Sequence, residues 1–234
     1  MRLLSVDWDY FVPSIDLEFA GDAGAPVPYA LSTGEYFSDD MLDALWDSRA
    51  AALLSRRIPL PGTSGEEESF WDRFSLAPDA ALYYADSHAQ AAHALFRAGI
   101  SEVWNYDAHH DCGYEGALDD VERLGWVGCA NWMCYYGRRG ATLHVRYPAW
   151  RADAARRELE PLCPVDRAVG NDPPCRFDVV FVARSSAWTP HWLDHAFMRL
   201  LDGAPVTRRI CLDRPWHRRD PDSAWIAHLQ TLAP

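Results

Sequence analysis

Three short apolar runs in this chain each stop at a group of ionisable residues. Leu3-Leu4-Ser5-Val6 leads into Asp7-Trp8-Asp9, Leu82-Tyr83-Tyr84-Ala85 into Asp86-Ser87-His88, and Val103-Trp104-Asn105-Tyr106 into Asp107-Ala108-His109-His110-Asp111. Runs this short suit strands covered on both faces better than helices. Because they alternate with stretches of helical spacing, the pattern predicts a three-layer αβα domain of the α/β class, with a mainly parallel sheet. One domain over residues 1–234 is expected.

Strands are predicted at Arg2–Val6, Ala81–Ala85, Glu102–Tyr106, Ala141–Arg146 and Phe177–Ala183. The plainest helix signal has Thr189 as N-cap and Pro190 at the first helical position. It carries Leu193, Phe197, Leu200 and Leu201 on one face and stops at Gly203. Further helices are expected over Met41–Leu54 with Ser38 as cap, over Ala89–Ala98 with Leu95 and Phe96 inward, and near Trp150–Leu159 and Ser223–Leu232. Segments 59–69 and 161–176 collect Pro, Gly, Ser and acidic residues and read as surface loops.

In open parallel sheets, ligands bind at the carboxyl ends of the strands, where all three polar clusters fall. Side chains two apart in an extended chain share a side, so Asp7 and Asp9 can converge, as can Asp107, His109 and Asp111. That mixture of carboxylate oxygen and imidazole nitrogen suits Mn²⁺, Fe²⁺, Co²⁺ or Zn²⁺ better than Ca²⁺ or Mg²⁺. His88 alone reads as a capping or core histidine; beside two other strand ends bearing donors, it becomes a third source of ligand. By the same alternation His110 points away from the donors, in a supporting or surface role.

Composition narrows the chemistry. All 22 basic residues are Arg, which removes Schiff-base lysines, Walker-type phosphate loops and pyridoxal phosphate. The net charge of −12 opposes nucleic acid and anionic membranes and favours cations. No apolar run approaches the ~20 residues of a membrane span. Asp7 and Asp9 interrupt the apolar N-terminal stretch, so no signal peptide and a cytoplasmic location are expected, with the six cysteines reduced. The Arg pairs 138–139, 156–157, 208–209 and 218–219 read as solvated faces.

Asp107-Ala108-His109-His110-Asp111 resembles the D-A-H-x-D motif of the arginase/ureohydrolase superfamily, and Ser5-Val6-Asp7-Trp8-Asp9 resembles its S-x-D-x-D motif. The order of the two is reversed relative to ordinary arginases, and Ala85-Asp86-Ser87-His88 stands where those have G-G-D-H. Together with Asn131-Trp132, and more weakly Arg184-Ser185-Ser186-Ala187-Trp188-Thr189-Pro190, the pattern is similar to the small arginase-like branch that includes peptide arginases of ribosomal-peptide maturation. The resemblance implies an arginase-like fold and two Mn²⁺ ions per chain. One ion would take His88, Asp107, Asp111 and Asp7, and the other His109, Asp107, Asp7 and Asp9, with Asp107 and Asp7 bridging. It implies hydrolysis of arginine side chains in a precursor peptide to ornithine and urea, with Asp111 as proton acceptor and Asp9 as the second catalytic carboxylate.

Asn131, in the N-W position, is the first candidate for substrate binding, with Trp132 read as core. Cys129 and Ala130 stand where the branch often has an acid, so Asp86 could supply a carboxylate or instead cap the helix behind it. Arg184 could bind a substrate carbonyl or form a surface ion pair. Other readings stay open: free arginine, agmatine or another guanidino compound as substrate, a metal-dependent amidohydrolase or deacetylase, and a non-enzymatic binding protein.

Overall fold

The computed structural model describes residues 1–13, 39–55, 57–113, 127–170, 172–173, 175–213 and 225. Seven parallel strands form one sheet: β1 (Arg2–Asp7), β2 (Ser75–Ala85), β3 (Glu102–Tyr106), β4 (Thr142–Tyr147), β5 (Asp166–Val169), β6 (Arg176–Ala183) and β7 (Arg208–Cys211), in the order β5-β4-β3-β1-β6-β2-β7. Helices cover it as the three-layer α/β class requires. Among the described residues they are α1 (Asp39–Ser55), α2 (Trp132–Gly137), α3 (Ala152–Ala155) and α4 (Asp194–Gly203).

Strand alternation divides the core in two. Leu4, Val6, Trp104, Tyr106, Val180 and Val182 face one side, where Trp46 and Ala50 of α1 and Phe197, Leu200 and Leu201 of α4 cover them. Leu3, Val103, Val145, Val179 and Phe181 face the other, against Trp132, Met133, Cys134 and Tyr136 of α2. Ser5 and Asp7 therefore share the α2 side of the sheet with Asn105 and Asp107, and the pairing Ser5↔Asn105 sets the two strands level.

Several boundaries differ from expectation, each for a local reason. Strand β2 starts at Ser75, six residues before Ala81, because a register shift between Leu76 and Ala81 absorbs Pro78, which has no N–H for the ladder. The predicted loop 161–176 contains edge strand β5, and β7 closes the opposite edge; both are short and polar. The Ala89–Ala98 helix reduces to a 3₁₀ turn, His88–Ala92. His93 is extended there and Leu95 lies 65% exposed, while Phe96 tucks against Tyr83. Thr189 does not cap α4: its hydroxyl donates to the carbonyls of Arg184 and Ser185, and a 3₁₀ turn, His191–Leu193, intervenes before Asp194.

The Trp150–Leu159 expectation shrinks to the turn Ala149–Arg151 and α3. Beyond it, Glu158 accepts from the His110 N–H and the Tyr147 hydroxyl, which draws the chain off the helical path. Ser38, Arg218, Arg219 and the 223–232 helix, Trp225 apart, lie outside the described residues, and the other three Arg pairs are exposed. The cysteines are unbridged. Among the described residues no helix is long and apolar enough to cross a membrane.

Candidate metal centre

The donors gather at the carboxyl edge of the sheet, where β1, β2 and β3 end. His88 is carried there by the turn after β2, with Ser87 accepting the Ala89 N–H as its cap. Its Nε2 lies 2.8 Å from Ser5 Oγ. Its Nδ1 faces three carboxylate oxygens at once: Asp7 Oδ2 at 3.0 Å, Asp107 Oδ2 at 3.2 Å and Asp111 Oδ2 at 3.0 Å. One ring nitrogen carries at most one proton, and this one makes no well-aligned hydrogen bond although it is buried. Three acceptor oxygens around an orphaned imidazole nitrogen is the geometry of a cation site, and these four residues form a group able to hold a metal ion.

Asp9, Asp107 and His109 form a second such group. Asp9 Oδ2 lies 3.0 Å and Asp107 Oδ1 3.7 Å from His109 Nδ1. Asp107 belongs to both groups, one oxygen toward each. Asp7 belongs to the first alone, which differs from the expected double bridge: its Oδ1 accepts the Asp9 N–H and its Oδ2 faces His88.

Electrostatics inside this cluster are strained without a cation. Burial, then the charges of Asp107 and Asp7, pushes the Asp111 carboxyl up to about 7. Burial with Asp7 and Asp107 beside it also raises Asp9 well above the usual carboxylate range. Burial disfavours a charged His88, but the carboxylates of Asp107, Asp111 and Asp7 that crowd its Nδ1 outweigh it and raise the imidazole well above its usual range. Asp107, which burial alone would raise, is held well below the usual range by His109 and His88. A cluster of four carboxylates that retains protons on His88, Asp9 and Asp111 is one in which divalent ions can replace those protons.

Surrounding side chains fix the donors. Asn105 donates from Nδ2 to Asp107 Oδ2 at 2.9 Å, and the Trp132 indole N–H donates to Asp111 Oδ2 at 2.8 Å. Ser185 Oγ donates to Asp7 Oδ2 at 2.7 Å. Asp111 and Ser185 both sit at positive φ, 49° and 52°; Asp tolerates that region, whereas for Ser185 it is a local strain that the surrounding contacts hold in place. Ser5 and Asn105 were within reach of sequence reasoning, two positions before Asp7 and Asp107 on the same strand faces. Trp132, read as core, and Ser185 carry no such local signal. Ser185→Ala is expected to lower divalent-ion affinity roughly 10- to 100-fold, the usual cost of losing a group that orients a ligand. A calorimetric Mn²⁺ titration of both proteins checks it.

The residues expected to contact substrate each have partners within the chain. Arg184 is buried, paired through Nε and Nη2 with Asp194 at 2.8 Å each, and reaches Asp86 with Nη1 at 3.3 Å. Asp86 neither caps the following turn nor stands open: it accepts from the backbone N–H and hydroxyl of Ser186. Both therefore brace the Ser185–Thr189 turn. Asn131 Oδ1 accepts the Gly128 N–H at 2.8 Å, closing its own turn before α2. His110 does face away from the donors, yet it is fully buried, with Nε2 2.9 Å from the Leu159 carbonyl and Nδ1 accepting the Cys112 N–H. No protein-family model, curated protein or solved structure matches the chain.

Proposed function

We propose that this chain is a dinuclear manganese hydrolase of the arginase type, converting arginine side chains of a ribosomally made peptide to ornithine with release of urea. One observation carries the reading. The two groups of candidate ligands, Asp7, His88, Asp107 and Asp111 with Asp9, Asp107 and His109, share a carboxylate and come from the segments that resemble the arginase motifs.

Divalent ions held there would supply Lewis acidity and a water that ionises near neutral pH. The chain's own groups set the rest. Asp111, fixed at one oxygen by Trp132, accepts the proton of the attacking water and passes it to the departing amine. Water adds to the guanidinium carbon and the bond to the side-chain nitrogen breaks, leaving an ornithine ammonium and urea. Asp9, held by the Ala108 N–H at Oδ1, fixes His109 from the other side. With four carboxylates against two divalent ions the loaded site is close to neutral, and the chain's charge of −12 favours approach of a cationic substrate.

The test is incubation of the Mn²⁺-loaded protein with unacetylated arginine-containing peptides, with urea assayed and mass followed. Hydrolysis is expected to remove about 42 Da per arginine and yield one urea for each. Urea from free arginine or agmatine but from no peptide would move the substrate to a small guanidino compound. No urea from any of them, with metal bound, would remove the reading.

A further inference from the structure

The structure points to Trp188 as the surface that receives the flat cationic end of the substrate; we infer this on the basis of the hydrolase reading above. Access to the centre is one-sided. The side chains of His88 and Asp107 are 1% exposed, those of Asp7, Asp9 and Asp111 7–10%, and that of His109 21%. A substrate therefore approaches past His109. The ring of Trp188 stands 5.5 Å from the His109 ring, tilted by 48°.

The turn that carries Trp188 is built to hold it there. Ser186 is 2%, Ala187 6% and Thr189 1% exposed, whereas the indole between them is only half-buried. The backbone N–H of Trp188 donates to the Ser185 carbonyl at 2.8 Å. From α1, Trp46 Nε1 donates to the Ser186 carbonyl at 2.7 Å and Arg49 Nη1 to the Ala187 carbonyl at 2.8 Å. The Arg184–Asp86–Ser186 contacts pin the same turn from the sheet side. A short turn thus places a hydroxyl, that of Ser185, on a carboxylate of the centre and an aromatic ring beside the most exposed donor. The face of an indole attracts a planar cation such as a guanidinium, and discriminates it from a neutral ureido group of nearly the same shape.

The experiment compares wild type, Trp188→Ala and Trp188→Phe, all Mn²⁺-loaded, with an arginine peptide and the same peptide carrying citrulline. Bound manganese, rapid-mixing tryptophan fluorescence, kcat and KM are read together. The Ala variant is expected to weaken binding of the arginine peptide roughly 3- to 30-fold, with less effect on the citrulline peptide. Bound manganese and kcat should stay close to wild type. The arginine peptide should quench wild-type emission, and Trp188→Phe should lose that quench while keeping most of the affinity. Unchanged affinity in the Ala variant, equal losses for both peptides, or a fall in bound manganese would overturn the assignment. Trp188-dependent binding of the arginine peptide without urea release would uphold recognition and reject hydrolysis, so the two readings fail separately.

Discussion

If the chain is the dinuclear hydrolase proposed above, Asp107→Asn is expected to abolish Mn²⁺ binding at both donor groups and, with it, urea release. Among the described residues Asp107 is the one shared by the two donor groups, with Oδ2 3.2 Å from His88 Nδ1 and Oδ1 3.7 Å from His109 Nδ1. It also accepts from Asn105 Nδ2 at 2.9 Å and from the His109 N–H at 2.7 Å. An amide has nearly the same shape and still offers one oxygen, so the fold should persist. What disappears is the negative charge and the second acceptor. We expect kcat/KM to fall by roughly three orders of magnitude or more, because activation of water depends on the ions. Bound manganese measured by elemental analysis should fall in parallel. His110→Ala is the contrasting variant: with His110 bonded to Leu159 and Cys112, it should leave bound manganese unchanged and show its cost in thermal stability. Equal loss of metal from both variants would contradict the division between them.

The clustering of these Asp and His side chains was readable because strand alternation is a local rule. Asp7 with Asp9, and Asp107 with His109 and Asp111, needed only a direction along one strand and the knowledge that parallel sheets bind at their carboxyl ends. The central strands were readable for the same reason, since β1, β3 and β6 are buried on both sides and their runs are correspondingly apolar. The edge strands were not. Asp166–Val169 and Arg208–Cys211 owe their conformation to one neighbour each, β4 and β2, and neither has the composition of a buried strand. Helix expectations failed where tertiary contacts outweighed spacing, as at Ala89–Ala98, where His88 is held in the centre and Phe96 against Tyr83. The roles of Arg184, Asp86 and Asn131 depend on partners 10, 98, 100 and 3 residues away, and a motif position says nothing about such partners.

Thermal stability should depend on pH in opposite senses with and without metal. In the metal-free protein Asp111 keeps its proton up to about 7, Asp9 is raised as well, and His88 stays protonated beyond the ordinary imidazole range. In the unfolded chain the same groups release protons near ~3.9 for Asp and ~6.5 for His. Between those limits the folded state binds more protons than the unfolded one, so stability falls as pH rises. Asp107 acts the other way, but its depressed value places its loss of stability in acid, below this window. For buried groups of this kind the effect is on the order of a few kcal/mol, or roughly 10 °C in Tm for a chain of this size. A divalent ion needs the carboxylates and imidazoles deprotonated, so binding expels these protons and tightens as pH rises. Melting curves between roughly pH 5.5 and 8.5, with EDTA and with excess Mn²⁺, should therefore diverge toward high pH. The EDTA curve should lose stability while the manganese curve holds or gains, and a gap of constant size across the range would mean that the buried carboxylates and His88 are not what the metal displaces protons from.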